Sequence, residues 1–401
     1  MFPDINLNDF DYNLPSEKIA NFPLEDRSNS KLLYVNKNKK VISHHNFKEI
    51  TDLLPLESVL IRNNTKVLPA RIFLNKSTGG LIEFLLIEPI EPSKDYFINL
   101  NSNENLVWKC LFGGRLKNQK QLFFHNNNID LVANIIEKLD ENIIIVKFDW
   151  KQKNLSFIQV LDEIGKMPLP PYIKRKALDL DKERYQTVYA KSFGSIAAPT
   201  AGLHFTDDIF NKIMSKNIGI IDITLNVGLG TFNPVKCKNV KDHIMHQELI
   251  NISLDSIKKL YNSIIQNKKI ICIGTTSVRT IETLFWWSVK LKINKFENFY
   301  LNQYECYNLE NDFEKNILEE LINYLEINNI KRIIGETQLF IVPGYKFKIV
   351  DGIITNFHLP KSTLVMLVAA FLGNSLWRDA YTEALNNEYR FLSYGDSSFL
   401  I

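Results

Sequence analysis

The chain has 401 residues, a formal net charge of +3 at neutral pH and a hydrophobic share of 45%. A chain of this length normally forms two domains, or one large domain with an insertion, and this hydrophobic share is ordinary for a globular protein with a real core. The small net charge excludes a global field that attracts nucleic acid, so any contact with RNA would need a local basic patch.

The first region with a clear pattern is a predicted β domain at residues 66–150. Short apolar or alternating runs are separated there by turn-rich stretches, and they lie at residues 82–87, 107–112 and 143–148. This spacing is typical of a small antiparallel β-barrel.

From residue 156 onward, helical and strand patterns alternate, which indicates an α/β layer arrangement. The predicted fold is therefore a large α/β domain, of mixed α and β structure, with an inserted antiparallel β-barrel domain. We assign residues 1–65 and 151–401 to the α/β domain and residues 66–150 to the barrel.

Five segments combine small residues with polar side chains next to apolar runs. In chain order they are 197–205 (AAPTAGLHF), 224–235 (TLNVGLGTFNPV), 271–282 (ICIGTTSVRTIE), 351–363 (DGIITNFHLPKST) and 389–396 (YRFLSYGD). Glycine lets a backbone approach a ligand closely, and proline holds that approach in one shape. Because ligands of open α/β sheets bind beyond the C-terminal ends of the strands, we expect several of these turns to form one pocket.

The cysteines Cys110, Cys237, Cys272 and Cys306 show no CxxC spacing, which indicates a reducing compartment and no zinc site. A metal at His243 and His246 is a minority interpretation, because the segment is not HExxH. No signal peptide is expected, and the longest apolar run, 364–372, is too short to span a bilayer. We therefore predict a cytoplasmic protein without a membrane contact.

These motifs resemble those of the S-adenosylmethionine:tRNA ribosyltransferase-isomerases of queuosine synthesis. The resemblance extends over nearly the whole chain, since five further motifs occur in the family order: 10–15 (FDYNLP), 22–27 (FPLEDR), 63–71 (NNTKVLPAR), 167–173 (MPLPPYI) and 184–189 (RYQTVY). It implies the same β-barrel inserted in an α/β domain, and no metal or redox cofactor. The family consumes S-adenosylmethionine as a substrate and acts on a tRNA that already contains 7-aminomethyl-7-deazaguanine.

The implied reaction moves the ribosyl part of S-adenosylmethionine to that base, releases adenine and methionine, and yields epoxyqueuosine. A base must remove a weakly acidic proton from the carbon beside the sulfonium. Candidate catalytic residues are His204 and His358 as first choices, and His246 and Glu248 as a second pair. The structural alternative for each histidine is an imidazole that hydrogen-bonds a backbone carbonyl.

Candidate substrate-binding residues lie in the same turns: Thr200, Gly202, Gly228, Gly230, Thr231, Thr275, Thr276, Arg279, Glu282, Asn356 and Asp396. The threonines 275 and 276 at a helix N-terminus would suit the methionine carboxylate. The alternatives are that Thr276 or Ser277 is only a helix N-cap, that Glu282 faces solvent, and that the glycines only form tight turns.

Candidate RNA-binding residues are Lys174, Arg175, Lys176 and Arg184, with a second patch on the barrel at Lys109, Arg115, Lys117 and Lys120. Each patch taken alone is also compatible with an ordinary solvated face. We expect a monomer.

The chain departs from the family pattern in three places. The family commonly has histidine at the position of Asn226 and arginine at that of Asn233, and the segment 285–332 is an added stretch. Asparagine can donate a hydrogen bond but cannot act as a general base. We predict that the segment is a tolerated surface insertion, partly an exposed helix. A tRNA-binding module without catalysis and a methyltransferase with the same donor remain alternatives.

Overall fold

The computed structural model describes residues 2–116, 119–228, 235, 237, 239–309 and 312–401. Strands and helices are numbered in chain order. The strands are β1 Lys31–Asn36, β2 Val41–Asn46, β3 Ser58–Asn63, β4 Thr65–Val67, β5 Arg71–Asn75, β6 Leu81–Glu91, β7 Leu106–Gly113, β8 Gln121–His125, β9 Asp130–Lys138, β10 Ile143–Trp150, β11 Ser192–Ser195, β12 Gly219–Asn226, β13 Glu248–Ser253, β14 Lys269–Ile273, β15 Tyr300–Leu301, β16 Arg332–Thr337, β17 Gly352–Asn356 and β18 Ser397–Leu400.

The helices connect these strands and cover both faces of the main sheet. They are α1 Ile50–Leu53, α2 Tyr96–Asn101, α3 Phe157–Ile164, α4 Asp179–Arg184, α5 Asp207–Ser215, α6 Leu254–Ile265, α7 Thr275–Lys292, α8 Leu318–Ile327, α9 Thr363–Leu372 and α10 Leu376–Asn386. Within the described ranges, none of them is both long and apolar enough to cross a membrane.

The main sheet has ten strands in the order β15-β16-β13-β12-β3-β14-β17-β18-β1-β2. Its central strands β12, β3, β14 and β17 run parallel to one another. Residues of β14 such as Ile271 and Cys272 are fully buried, as expected for a parallel strand that is covered on both faces. The carboxyl ends of these four strands therefore meet at one edge of the sheet.

The second sheet is a closed barrel in the order β10-β7-β6-β5-β8-β9, with antiparallel neighbours throughout. Helix α3 packs against the barrel core through Phe157, whose ring lies 5.5–5.7 Å from those of Trp108, Phe148 and Trp150. This barrel beside a large mixed sheet confirms the predicted fold class. The three predicted runs lie within β6, β7 and β10. The exact domain boundaries stay a prediction.

The segment 285–332, which was predicted to be a surface insertion with a partly exposed helix, contains several buried parts. Residues 285–290 continue the buried helix α7, and β15 forms an edge of the main sheet. Helix α8 packs on α7 and α6 and buries Leu318, Leu321 and Leu325 completely. Its apolar positions recur at helical spacing because one face belongs to the main core, and only the opposite face is in solvent.

Candidate active site

A cleft opens at the edge of the sheet where the parallel central strands end. It encloses about 630 Å³ between its walls and its mouth. The residues that line it include Thr200, Val227, Thr275 and Asn356. Three of the predicted turns and the residue before Gly228 therefore converge there. The described lining residues include no Asp, Glu, Lys or Arg; apart from His358, their side chains are hydroxyl, amide or apolar groups.

The start of helix α7 lines the cleft, and it contacts the end of strand β3. Gly274, with a φ of +86°, is the N-cap of this helix, and Thr275 and Thr276 form its first turn. Asn63 at the end of β3 donates its amide to the backbone oxygen of Leu225 at 2.9 Å, and it lies 3.5 Å from the hydroxyl of Thr276. The free N–H groups of a helix N-terminus at this place form a site for an anionic group such as a carboxylate.

His358 lies in the cleft wall just after β17. Its Nε2 hydrogen-bonds the hydroxyl of Thr355 at 2.9 Å, and its backbone N–H donates to Tyr381 Oη at 3.1 Å. No described residue hydrogen-bonds its Nδ1. Burial lowers the pKa of His358 to about 3, so the imidazole is neutral at physiological pH. If Nε2 holds the ring proton, the lone pair on Nδ1 is available to accept a proton.

His204 is also buried, but both of its ring nitrogens have partners. Asn356 Nδ2 lies 3.3 Å from the backbone oxygen of Asp396, which can only accept, and this contact fixes the orientation of the amide. The same Nδ2 then donates to His204 Nε2 at 3.1 Å, so the ring proton is on Nδ1, which donates to Ser30 Oγ at 2.7 Å. Asn356 Oδ1 in turn accepts from Thr200 Oγ1 at 2.7 Å. His204 therefore orients two residues of the cleft.

The pKa of His204 is lowered to about 3, first by burial and then by repulsion from Arg390 and Arg27. His204 does not line the cleft but faces an adjacent pocket. This arrangement favours a positioning role for His204 over the proton transfer expected from the sequence.

Three residues that were predicted to bind substrate do not line the cleft: Glu282, Asp396 and Gly202. Glu282 is fully buried and accepts from Tyr345 Oη at 2.7 Å and from the backbone N–H groups of 348–350 at 2.8–3.0 Å. Burial raises the pKa of Glu282, and these donors oppose that shift. Helix α7 is buried along nearly its whole length, so Glu282 does not face solvent. Glu282 does not line the cleft either, and its hydrogen bonds hold the 345–350 loop in place.

Asp396 and Gly202 lie behind the cleft wall. The Asp396 carboxylate accepts from the backbone N–H of Lys31 at 2.9 Å and of Arg390 at 2.7 Å. Burial raises the pKa of Asp396. A Cβ on Gly202 would lie 2.0 Å from the hydroxyl of Tyr189, so this glycine makes room for an aromatic side chain. The prediction that these two residues contact substrate disagrees with their positions.

His246, Glu248 and Arg279 line a neighbouring pocket that meets the cleft at Leu364. Arg279 forms a buried ion pair with Glu248 and donates Nε to the backbone oxygen of Leu339 at 3.0 Å. His246 is exposed. The second predicted catalytic pair thus lies outside the main cleft, and the Arg279 guanidinium already has a carboxylate partner.

The predicted RNA-binding residues differ in their exposure and in the partners that their side chains already have. Lys174 and Lys176 are exposed along a groove between the barrel and the segment 166–177. Arg175 instead forms a two-pronged pair with Asp181 at 2.7 and 2.8 Å, which raises the pKa of Arg175. Arg184 donates to the backbone oxygens of Leu24 and Glu25. The sequence alone did not show that the carboxylate of Asp181 occupies the Arg175 guanidinium, whereas Lys174 and Lys176 are exposed.

Some predicted residues lie outside the described residues: Lys117, Gly230, Thr231 and Asn233. Asn226 lies at the end of β12 but lines a different groove, next to Gly194. On the barrel, Lys109 pairs with Glu88 at 3.0 Å, whereas Arg115 and Lys120 are exposed. No cluster of three or more His, Cys, Asp or Glu side chains suited to a metal occurs in the described part of the chain.

The sequence analysis missed the residues that complete the cleft from distant segments. Tyr172 hydrogen-bonds Ser393 at 2.6 Å, and both line the cleft. Ser30 is the partner of His204. Tyr172 and Ser393 lie within motifs 167–173 and 389–396, so the motifs signalled them, but residue type alone gave no reason to select them.

The comparisons with known proteins show the family to which this chain belongs. A family model described as "Queuosine biosynthesis protein" matches residues 7–400. A relative from Fusobacterium nucleatum, named S-adenosylmethionine:tRNA ribosyltransferase-isomerase, is 40% identical over 98% of this chain and 96% of its own. A protein of the same name from Clostridioides difficile is 40% identical over 98% of both chains.

Among solved structures, an S-adenosylmethionine tRNA ribosyltransferase from Thermotoga maritima is 27% identical, over 98% of this chain and 100% of its own, with a TM-score of 0.48. Given the family model and the two relatives, the chain belongs to the queuosine biosynthesis protein family.

Proposed function

We propose that this chain is an S-adenosylmethionine:tRNA ribosyltransferase-isomerase. It transfers the ribosyl group of S-adenosylmethionine to the amine of 7-aminomethyl-7-deazaguanine in tRNA. Adenine and methionine leave, and the ribosyl unit rearranges to an epoxycyclopentane, which gives epoxyqueuosine. S-adenosylmethionine is consumed as a substrate and not regenerated as a cofactor. The chain acts as a monomer, in the cytoplasm, where its tRNA substrate is available.

The observation that supports this function most is the convergence of Thr200, Thr275, Asn356 and His358 on one cleft. They come from three distant segments: Thr200 and Thr275 each begin a helix, Asn356 ends β17, and His358 follows that strand. Ligands of open α/β sheets bind at this edge. The methionine carboxylate would lie at the N-terminus of α7, where Thr275 and Thr276 add hydroxyl donors.

His358 is the group best placed to take the proton from the ribose carbon bonded to sulfur. A pKa of about 3 makes this imidazole a weak base in the empty cleft, because burial penalises the imidazolium. The sulfonium of the bound substrate already places one positive charge there. Proton transfer produces a neutral sulfur ylide and an imidazolium, so the charge moves within the cleft and its net value does not change.

The test is to incubate the protein with S-adenosylmethionine labelled in the ribose and with tRNA that contains the precursor base, and then to chromatograph the products. The proposal predicts labelled tRNA with free adenine and methionine in equal amounts. S-adenosylhomocysteine as the product would instead identify a methyltransferase. Tight tRNA binding without any product would identify a non-catalytic binding module.

A further inference from the structure

A second pocket adjoins the cleft and concentrates positive charge. Arg27, Arg184 and Arg390 line it together with Ser30 and His204, around a space of about 300 Å³. The three arginines come from the motifs 22–27, 184–189 and 389–396, which are far apart in the sequence. None of the roles derived above for the reaction uses this cluster.

These guanidinium groups are held mainly by neutral acceptors. Arg27 donates to the backbone oxygen of Gln186 at 3.1 Å, and Arg184 to that of Glu25 at 3.0 Å. Glu183 and Asp207 attract Arg27 only over a longer range, and neither forms an ion pair with it among the described contacts. Because an arginine has five N–H donors, each of these two keeps donors for a further partner.

Arg390 is only weakly paired. Its guanidinium lies 3.8 Å from the carboxylate of Asp396, and this carboxylate already accepts two backbone N–H groups. Burial, and then repulsion from Arg184, lowers the pKa of Arg27. Among the described ion pairs, these three cations share one carboxylate, Asp396. The cluster therefore favours an anionic occupant, since half-buried like charges repel one another.

The pocket is directly next to the cleft, because Ser393 lines both. Phe22 precedes the lining residue Pro23, is 52% exposed, and accepts from Arg390 through its backbone oxygen. The Arg175 guanidinium lies 4.4 Å from the centroid of the Phe22 ring. A nucleotide with its base in the cleft would place its own backbone within reach of this pocket. Arginines next to an exposed aromatic ring are a common arrangement at sites for unpaired RNA.

We propose that the pocket of Arg27, Arg184 and Arg390 binds a backbone phosphodiester of the tRNA next to the modified nucleotide. This inference rests on the proposed function. A planar guanidinium group can donate to two phosphate oxygens at once. Three guanidinium groups around one pocket offer more N–H donors than one carboxylate can accept. The carboxylate of S-adenosylmethionine is the competing occupant, and the N-terminus of α7 already offers it a site.

The first experiment measures the dissociation constant of precursor-bearing tRNA as a function of salt for Arg27→Gln and Arg390→Gln. The matched control is Arg378→Gln, since Arg378 also donates to two backbone carbonyls but lies on α10, away from the pocket. Each pocket variant is expected to bind tRNA about tenfold more weakly, with a salt slope lower by about 0.7, while the control changes neither quantity. S-adenosylmethionine alone should bind all variants equally.

The second experiment needs only the wild-type protein, so it remains decisive if a variant fails to fold. Anticodon stem-loops carrying one neutral methylphosphonate each are titrated, position by position, beside the target nucleotide. The proposal expects substitution at one position to weaken binding to the wild-type protein about tenfold, with little change at the other positions.

Three outcomes would overturn the proposal: a uniform response across the methylphosphonate positions, folded variants with unchanged tRNA binding and salt slope, or weaker binding of S-adenosylmethionine with unchanged tRNA binding. The last would assign the pocket to the substrate carboxylate. None of these outcomes bears on the transfer reaction, which is judged separately from the products of the wild-type protein.

Discussion

The cleft and the arginine pocket share Ser393 but differ in charge and origin. The cleft is formed where parallel strands end, and its described walls contain no formally charged side chain. The pocket is formed by segments outside the sheet, including the end of α4, and contains three arginines. A cationic nucleoside such as S-adenosylmethionine fits the uncharged cleft, whereas a polyanion such as RNA is attracted to the pocket. Under the proposed function, one fold thus separates the small substrate from the backbone of the large one.

The largest predicted effect tests the catalytic side of this comparison. His358→Gln keeps an amide near Thr355 but removes the imidazole, so single-turnover ribosyl transfer should fall about 100- to 10,000-fold. The dissociation constant for S-adenosylmethionine should stay within a few-fold of the wild-type value, because the loss concerns the transition state. The control is His44→Gln, since His44 lies on strand β2, away from the cleft. A His358→Gln enzyme with near-normal turnover would remove His358 from the chemistry.

Glu282 lines neither the cleft nor the arginine pocket, so its substitution tests whether residues outside these two sites serve only the fold. Glu282→Ala leaves three backbone N–H groups and a tyrosine hydroxyl without an acceptor, so we expect a loss of about 3 kcal/mol or more in unfolding free energy. Urea denaturation gives the size of this loss. A variant of normal stability that binds S-adenosylmethionine poorly would instead restore Glu282 as a substrate ligand.

The buried face of α8 makes a related prediction. Leu321→Ala removes a fully buried side chain from the main core and should cost about 2–5 kcal/mol, with turnover of the folded fraction unchanged. The exposed position Glu319 on the same helix provides the control Glu319→Ala, which should be almost neutral. A stable Leu321→Ala protein would support the expectation of a dispensable insertion.

Because His204 is buried with a lowered pKa, the free energy of unfolding should depend on pH. Its pKa is about 3 in the folded protein and 6.5 in the unfolded reference, so the unfolded chain binds more protons between these values. The stabilisation is complete above pH 6.5 and is lost as the pH falls, by about 1.4 kcal/mol per pH unit. Between pH 7 and 5, the wild type should lose about 2 kcal/mol more than His204→Gln. Parallel stability curves in urea titrations would show that His204 is not held neutral.

The smallest effect is expected at the exposed lysines of the groove. Neutralising Lys174 and Lys176 together should weaken tRNA binding a few-fold and lower the salt slope by about 1–2, without changing the affinity for S-adenosylmethionine. Arg175 is left intact, because its pair with Asp181 belongs to the fold. An unchanged slope would move this part of the RNA surface to the barrel residues Arg115 and Lys120.

The parts of the site that the sequence predicted are local in the chain. Thr275 lies just after β14 and Asn356 ends β17. Parallel strands bring such ends to one edge of a sheet, so the convergence of these residues could be predicted. The barrel could be predicted because its short apolar or alternating runs are separated by turn-rich stretches, and the alternation is regular in β10. These features depend on short segments and on one general rule of topology.

The parts that could not be predicted depend on contacts between distant segments. Arg279 and Glu282 lie one helical turn apart on α7, but the carboxylate Glu248 pairs with one and backbone N–H groups surround the other. Nothing in their spacing reveals this difference. Likewise, His204 and His358 look alike as sequence, and only Ser30 and Asn356 distinguish them.

The central claim is that His358, in the uncharged cleft, removes the proton from the ribose carbon bonded to sulfur. The most direct measurement is the release of tritium to water from S-adenosylmethionine labelled at that carbon, in the presence of precursor tRNA. The account predicts release by the wild type and by a folded His204→Gln variant, and almost none by His358→Gln. Release by His358→Gln at the wild-type rate would contradict it.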